Sequence, residues 1–229
     1  VTGQAKMAKR SDREASNGLV ASAGKSVIHL AAETDFVAKN AEFVALADEI
    51  AQAVDGSGAT DAAAANAVVL ASGKTVGDTV AELAAKIGEK LEVANAANYD
   101  GDVSIYLHKR SQDLPPQVGV MVEYDGCDED FVRGIAMQIA AMSPQYVTRD
   151  DVPAEVLAHE RHIAELTAKE DGKPAQIIPR IVEGRLGGFY KDVVLLEQAS
   201  VSDDKKTVGQ LLKENGVTVK RFVRFAAGA

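Results

Sequence analysis

The sequence is poor in the residues that build disulfide frameworks, membrane spans and cationic surfaces. It has one cysteine, Cys127, and no tryptophan in 229 residues, which excludes an internal disulfide framework and a multi-thiolate metal site. No apolar run approaches the roughly 20 residues that a membrane helix needs. A net charge of −9, from 25 Lys and Arg against 34 Asp and Glu, argues against wrapping duplex DNA. We expect a cytoplasmic protein that binds neither a membrane nor nucleic acid directly.

The common motifs of catalysis and nucleotide binding are missing as well. The sequence has no Walker loop and no GxGxxG, GxSxG or HExxH motif. His159 and His162 lie one helical turn apart, which fits the polar side of a helix better than a weak surface metal site. Cys127 lies in an acidic turn, which argues against a nucleophilic thiolate. We therefore expect no catalytic residue, no metal and no cofactor, and a protein that is not an enzyme.

Apolar residues recur with the two periods that are typical of helices and strands. Helical spacing runs through residues 43–54, 76–87 and 131–142. Residues 55–71, rich in Ala, Gly and Ser, predict a loop with at most a short helix. Segments rich in Val and Ile and bounded by turn residues predict strands at 19–21, 27–31, 91–93, 103–108, 118–124, 193–196 and 217–225.

The chain contains a faint internal duplication. The tetrapeptide Lys-Thr-Val-Gly opens a helical pattern at 74–77 and another at 206–209. Thr75 and Thr207 are placed to cap these helices, and the glycines that follow, Gly88 and Gly216, suit a left-handed position at the helix end. We interpret the chain as two related strand–helix–helix–strand units, residues 18–114 and 115–225.

The second unit carries an insertion at residues 150–189. Two helical patterns with narrow apolar stripes flank a short turn. The first stripe runs through Val156, Ile163 and Leu166, and the second runs through Ile178, Ile181, Val182, Leu186 and Phe189. Helices joined by so short a turn are expected to be antiparallel. A projecting hairpin is typical of a contact with a partner or with a second copy of the chain, and a purely structural arm is the alternative. Residues 1–17 are interpreted as a linker or partial helix after a missing domain.

The most informative segment is Thr-Asp-Phe-Val-Ala-Lys-Asn at 34–40, which lengthens the connection between strand and helix in the first unit only. If the helix begins at Asp35, Phe36 lies two turns before Phe43 on the same buried stripe. If Asn40 is the N-cap, Phe36 lies on a turn before the helix. An aromatic side chain on such a turn is typical of an anchor for a partner's pocket. The residues alone leave both interpretations open.

The hexamer Thr-Asp-Phe-Val-Ala-Lys at 34–39 resembles the signature of elongation factor Ts, the bacterial nucleotide exchange factor for elongation factor Tu. The resemblance is greatest to actinobacterial members and covers nearly the whole chain. Its other segments are Ala-Lys-Ile-Gly-Glu at 85–89, Tyr-Leu-His at 106–108, Asp-Leu-Pro at 113–115, Val-Glu-Gly-Arg at 182–185, Lys-Thr-Val-Gly-Gln-Leu-Leu at 206–212 and Arg-Phe-Val-Arg-Phe at 221–225.

The resemblance implies an α+β fold with two related subdomains, each an antiparallel sheet packed with helices. These subdomains would be residues 18–114 and residues 115–149 with 190–229, and an antiparallel coiled-coil hairpin would occupy 150–189. The implied function is guanine nucleotide exchange on elongation factor Tu during translation elongation, without bond-making chemistry. A scaffold that binds through the hairpin without exchanging nucleotide is the alternative.

The resemblance also implies a set of partner-binding residues. In the family the aromatic residue of the motif wedges into the G domain of elongation factor Tu and disturbs its magnesium and phosphate sites, and Phe36 occupies that position. Val201 and Ser202 match a segment that contacts the third domain of the partner. The complete set is Thr34, Asp35, Phe36, Val37, Ile87, Gly88, His108, Val201 and Ser202. A homodimer through the hairpin is a further expectation.

The chain departs from the family pattern at three places. The N-terminal ubiquitin-associated-like domain of the family is missing, which predicts weaker binding than that of full-length relatives. A pair of adjacent arginines is replaced within Asn95, Ala96 and Ala97. A cysteine that often precedes the motif is Ala32, a change that removes nothing needed for wedging.

Overall fold

The computed structural model describes residues 9–228, so part of the segment interpreted as a linker lies outside the described residues. The fold is α+β, with two three-stranded sheets of order β1-β2-β3 and β4-β5-β6 within that range. The strands are β1 (Asn17–Ala23), β2 (Ser26–Ala32), β3 (Leu91–Asn98), β4 (Asp102–His108), β5 (Val118–Asp125) and β6 (Thr218–Ala226).

The α-helices range from one turn to about five turns in length. They are α1 (Asp35–Ala38), α2 (Ala41–Val54), α3 (Ala62–Ala67), α4 (Val76–Ile87), α5 (Glu129–Met142), α6 (Ala154–Glu170), α7 (Ile178–Val193) and α8 (Val208–Glu214). Short 3-10 turns occupy Arg149–Asp151 and Leu195–Glu197. None of the helices within the described range is both long and apolar enough to cross a bilayer.

The helices predicted from the apolar periodicity are confirmed, together with their caps. The hydroxyls of Thr75 and Thr207 each accept the backbone N–H three residues along, at 3.1 and 3.2 Å. Gly88 and Gly216 have φ angles of +90° and +65°, in the left-handed region that glycine adopts without a steric penalty. The short helix α3 forms within the Ala-rich stretch, as predicted.

Both sheets follow the same chain order. In each, two consecutive strands pair antiparallel, a run of helices follows, and a third strand lies beside the second. This repeated order agrees with an internal duplication. The strand at residues 103–108, which the sequence pattern assigned to the first unit, pairs as β4 with β5 in the second sheet.

The first sheet is buried on both faces. Every residue of β2 is buried. One face packs against the apolar stripes of α2 and α4, including Phe43 and Val80. On the other face Val20 joins a cluster with Met121 of β5. Gly119 permits this close packing, because a Cβ atom there would lie 2.3 Å from Cγ1 of Val20.

The contacts divide the chain into two compact units. One contains residues 9–124 and 222–228, and the other contains residues 125–221. The first boundary therefore follows Tyr124, whereas the sequence pattern placed it after Leu114. The assignment of separate subdomain roles to these parts of the chain stays a prediction.

The prediction of a strand at 193–196 is wrong. Helix α7 continues through Val193, and a 3-10 turn follows at Leu195–Glu197. Val194 and Leu195 are fully buried, and the N–H of Leu195 donates to the carbonyl of Tyr146 at 2.8 Å. The apolar run thus reflects burial at a helix end, and a short run of this kind does not distinguish a helix end from a strand.

Helices α6 and α7 pack against each other through Val182 and Leu186 of the stripe predicted on α7, but not through the stripe predicted on α6. The buried cluster between them contains Ala164, Val182 and Leu186. Ile163 and Leu166, which were predicted to lie on the apolar seam, are 43% and 45% exposed. The small alanine side chain faces the partner helix and allows close approach, whereas the bulkier residues lie outside the seam. A coiled-coil geometry for this pair stays a prediction.

Candidate partner-binding site

The segment that carries the motif forms one helical turn before the main helix of the first unit. The turn is α1, and the N–H of Asn40 donates to the carbonyl of Val37 at 2.9 Å where the turn ends. The side chain of Asn40 then begins α2 by accepting the N–H of Phe43 at 3.1 Å. The structure therefore combines features of both interpretations: helical geometry begins at Asp35, but Asn40 is the N-cap of α2.

Neighbouring residues on this turn face opposite environments. Phe36 is 80% exposed, whereas Val37 is 7% exposed and packs in the core of the first unit with Ala38 and Phe43. The second interpretation is thus correct for Phe36, because its ring lies in solvent rather than on the buried stripe. The side chain of Val37 packs in the core, and its contact with a partner stays a prediction. Its role at the site is to hold the turn against the sheet.

A carboxylate from a distant part of the sequence holds the start of this turn. Oε1 of Glu89 accepts the hydroxyl of Thr34 at 2.7 Å, and Oε2 accepts the N–H of Thr34 at 3.2 Å. Thr34 makes no side-chain cap bond of its own to α1. The sequence reasoning missed Glu89 as a site residue. It is part of the Ala-Lys-Ile-Gly-Glu segment, but no local pattern indicates that it lies beside residue 34.

The same contact brings the end of α4 to the motif. Gly88 ends the helix in the left-handed conformation and is exposed, and nothing lies within 4 Å of the place where a Cβ atom would be. Ile87 is half-buried against the core. Because Glu89 follows directly and binds Thr34, the predicted residues Ile87 and Gly88 lie next to the turn that carries Phe36.

His108 lies at the exposed end of β4, in the second sheet. Its Nδ1 atom is 2.9 Å from the hydroxyl oxygen of Tyr106, and the two rings are 6.0 Å apart. This contact holds the imidazole beside Tyr106 of the same strand. Within the described range no hydrogen bond or ion pair connects His108 to the turn of Phe36.

Val201 and Ser202 lie in the other unit, on an exposed loop, and Val201 is 56% exposed. The buried side chain of Gln138 anchors this loop, because its oxygen accepts the N–H of Val201 at 2.7 Å. Its amide group donates to Gln198 at 3.2 Å and to the carbonyl of Ala199 at 3.1 Å. The sequence reasoning did not single out Gln138, whose position on α5 resembles that of an ordinary surface glutamine.

Two other sequence features can now be placed. Asn95 is exposed on β3, but Ala96 and Ala97 are 5% and 3% exposed and pack on opposite faces of the first sheet. An arginine at either alanine position would have to bring its charge into a packed core. His159 and His162 are exposed on α6. Within residues 9–228 no three His, Cys, Asp or Glu side chains are arranged to hold a metal ion.

Comparison with known proteins agrees with the motif. The model of the family described as Elongation factor TS matches residues 33–229. Elongation factor Ts of Cutibacterium acnes is 64% identical over 228 residues, which cover 100% of this chain and 84% of that protein. Elongation factor Ts of Rhodococcus erythropolis is 53% identical over 232 residues, covering 100% of this chain and 84% of that protein. Elongation factor Ts of a Nocardioides species is 58% identical over 225 residues, covering 98% and 83%. The chain belongs to the elongation factor Ts family.

Proposed function

We propose that this chain is a guanine nucleotide exchange factor for elongation factor Tu. The observation that carries the proposal is Phe36, an aromatic side chain that is 80% exposed. Its turn is held in the core by Val37 and Ala38 and by the bonds of Thr34 to Glu89. A large apolar ring presented on a rigid turn is the arrangement of a partner-binding anchor. It lies within the motif that the family shares, and the family acts on elongation factor Tu.

In this proposal the chain needs no catalytic side chain, because exchange requires only unequal binding. The chain binds nucleotide-free Tu more tightly than nucleotide-bound Tu, and by linkage each ligand weakens the binding of the other to the same extent. Phe36 enters the G domain and displaces the groups that hold the phosphates and magnesium. Each ~1.4 kcal/mol of this coupling changes the nucleotide affinity tenfold.

The other predicted residues and the hairpin contribute further contact surfaces in this proposal. Gly88 and the exposed part of Ile87 contact the G domain beside Phe36, and Thr34 and Asp35 frame the ring. His108 makes a separate contact with the G domain. Val201 and Ser202 contact the third domain of the partner, and the hairpin of α6 and α7 provides a contact with a second copy of the chain.

The direct test is the release of fluorescent GDP from purified elongation factor Tu, measured in a stopped-flow instrument with and without this chain. We expect the rate of GDP release to rise with the concentration of this chain. Less than one chain per Tu molecule should suffice, because an exchange factor is released and acts again. A scaffold gives a different result: co-sedimentation or titration shows binding to Tu, but GDP release is unchanged. That outcome would refute the exchange function.

A further inference from the structure

Two short segments of the first unit are joined by reciprocal hydrogen bonds to their acidic side chains. Glu89 accepts both the N–H and the hydroxyl of Thr34. In the opposite direction, Oε1 of Glu33 accepts the backbone N–H of Lys90 at 2.6 Å. Each segment thus supplies one acidic side chain to the backbone of the other. These four residues, Glu33, Thr34, Glu89 and Lys90, are called the reciprocal clamp below.

The reciprocal clamp is sheltered and has additional support. The side chain of Glu33 is 20% exposed and also lies 3.3 Å from the guanidinium of Arg13. The backbone carbonyl of Glu33 accepts the side-chain amide of Asn17 at 2.8 Å, which ties the same residue to β1. Hydrogen bonds to charged acceptors are about twice as strong as neutral ones. Partial burial also reduces their screening by salt.

The turn that presents Phe36 needs such external support. Helix α1 has four residues, and a helix of that length is not stable by itself because nucleation is costly. Thr34 makes no side-chain cap bond to it, and its hydroxyl and N–H are both directed to Glu89. The orientation of the turn on its N-terminal side therefore depends on a carboxylate that lies just after the end of α4.

We propose that Glu89 is a positioning residue for nucleotide exchange, an inference that rests on the exchange function proposed above. The reciprocal clamp joins the turn of Phe36 and the turn of Ile87 and Gly88 into one rigid two-point contact with the G domain. Without Glu89 the ring is still present, but the turn samples other orientations. Part of the binding free energy is then spent on ordering it.

The alternative role of Glu89 is purely structural, and a double-mutant cycle separates the two. If Glu89 acts through the ring, its removal matters only while the ring is present, so the effects of Glu89→Ala and Phe36→Ala are not additive. If Glu89 only stabilises the fold, its removal lowers the unfolding temperature. The fold-change in GDP release of the double variant then equals the product of the fold-changes of the two single variants.

The experiment measures the maximal rate of GDP release from elongation factor Tu with variants of the 229-residue chain. We expect Glu89→Ala to slow release by roughly tenfold, because it removes both hydrogen bonds that Thr34 makes to a charged group. In the Phe36→Ala background the same change should cost less than about twofold. Glu89→Gln should stay within about threefold of the unaltered chain, because its amide can accept the N–H of Thr34 and donate to the hydroxyl.

The matched control is Glu82→Ala, on helix α4, which ends just before Glu89. Glu82 forms an exposed ion pair with Lys74 at 2.7 Å and lies outside the reciprocal clamp, so release should be unchanged. If Glu89→Ala does not fold, Thr34→Val replaces it, since this change removes only the hydroxyl bond. Thr34→Val should give a smaller loss that also disappears in the Phe36→Ala background.

Three results would overturn the inference. Normal release with Glu89→Ala and Thr34→Val would show that the reciprocal clamp does not position the ring. Losses that multiply with Phe36→Ala would show a structural role. Failure of the unaltered chain to accelerate release would overturn the exchange function and this inference together, which distinguishes it from the first two results.

Discussion

Replacing Phe36 by alanine removes the one large side chain that the proposed contact depends on. Phe36 is 80% exposed, and full burial of a phenylalanine contributes roughly 1.5–3 kcal/mol. About four fifths of that range, roughly 1.2–2.4 kcal/mol, is therefore still available to a partner. At ~1.4 kcal/mol per factor of ten, the affinity of the variant for nucleotide-free Tu and its acceleration of GDP release should both fall about 7- to 50-fold.

The assay combines stopped-flow release of fluorescent GDP with thermal unfolding of the same protein samples. Because the ring touches little of its own unit, Phe36→Ala should change the free energy of unfolding by less than about 0.5 kcal/mol. Phe43→Ala should show the opposite pattern, since Phe43 is 0% exposed and its truncation costs about 3–5 kcal/mol. Val69→Ala is the matched control: Val69 is 61% exposed and lies outside the motif, so both measurements should stay unchanged.

Two results would contradict this reasoning. Unaltered GDP release with a stable, folded Phe36→Ala variant would show that the ring is not the anchor. A fall of several kcal/mol in the stability of Phe36→Ala would show that the ring packs within the chain. The second result would contradict the exposed position from which the magnitude was worked out, since an exposed side chain has little folding energy to lose.

Two further predictions concern buried polar groups. Burial lowers the pKa of His29 below its usual value of 6.5, although a hydrogen bond to the Asn17 carbonyl and the nearby Glu92 act in the opposite direction. As the pH falls, the unfolded chain therefore takes up the proton before the folded chain does. The free energy of unfolding should decrease below pH 6.5, by at most about 1.4 kcal/mol per pH unit. His29→Gln should reduce the difference in unfolding temperature between pH 7.5 and 5.5, which lie roughly one unit either side of the usual histidine pKa. If the variant loses as much stability as the unaltered chain over this range, His29 is not the group responsible. Gln138→Ala should lower the free energy of unfolding in urea by about 2–4 kcal/mol, because it leaves buried partners unpaired; a cost below about 0.5 kcal/mol would show that water replaces the amide.

The helices of the first unit and most strands could be predicted because their determinants are local. Thr75 and Gly88 bound a helix whose apolar spacing is regular, and the cap bond and left-handed φ are both present. The strand at 118–124 is confirmed as β5, since a Val-rich run bounded by turn residues carries its own signal. Such features need no knowledge of distant residues.

The remaining differences arise from tertiary contacts. The partner of β4 could not be predicted, because pairing with β5 depends on residues beyond the strand itself. Ile163 lies outside the seam that Ala164 occupies, since close approach of two helices favours the smaller side chain at the contact. Glu89 was missed for the same reason: it is far from Thr34 in sequence, and only the fold brings the two together.

The location of the candidate site follows from the one point at which two similar connections differ. In the second unit Asp128 caps α5 by accepting the N–H of Phe131 at 2.9 Å, soon after β5. In the first unit Asn40 caps α2 by accepting the N–H of Phe43 at 3.1 Å, but α1 lies between β2 and that cap. The cap and the following phenylalanine are common to both connections, so the short helix is an addition in one of them. Because Asn40 already begins α2, the exposed ring of Phe36 contributes nothing to starting the helix. A feature that leaves apolar surface in water without a folding gain is typical of a residue that contacts a partner.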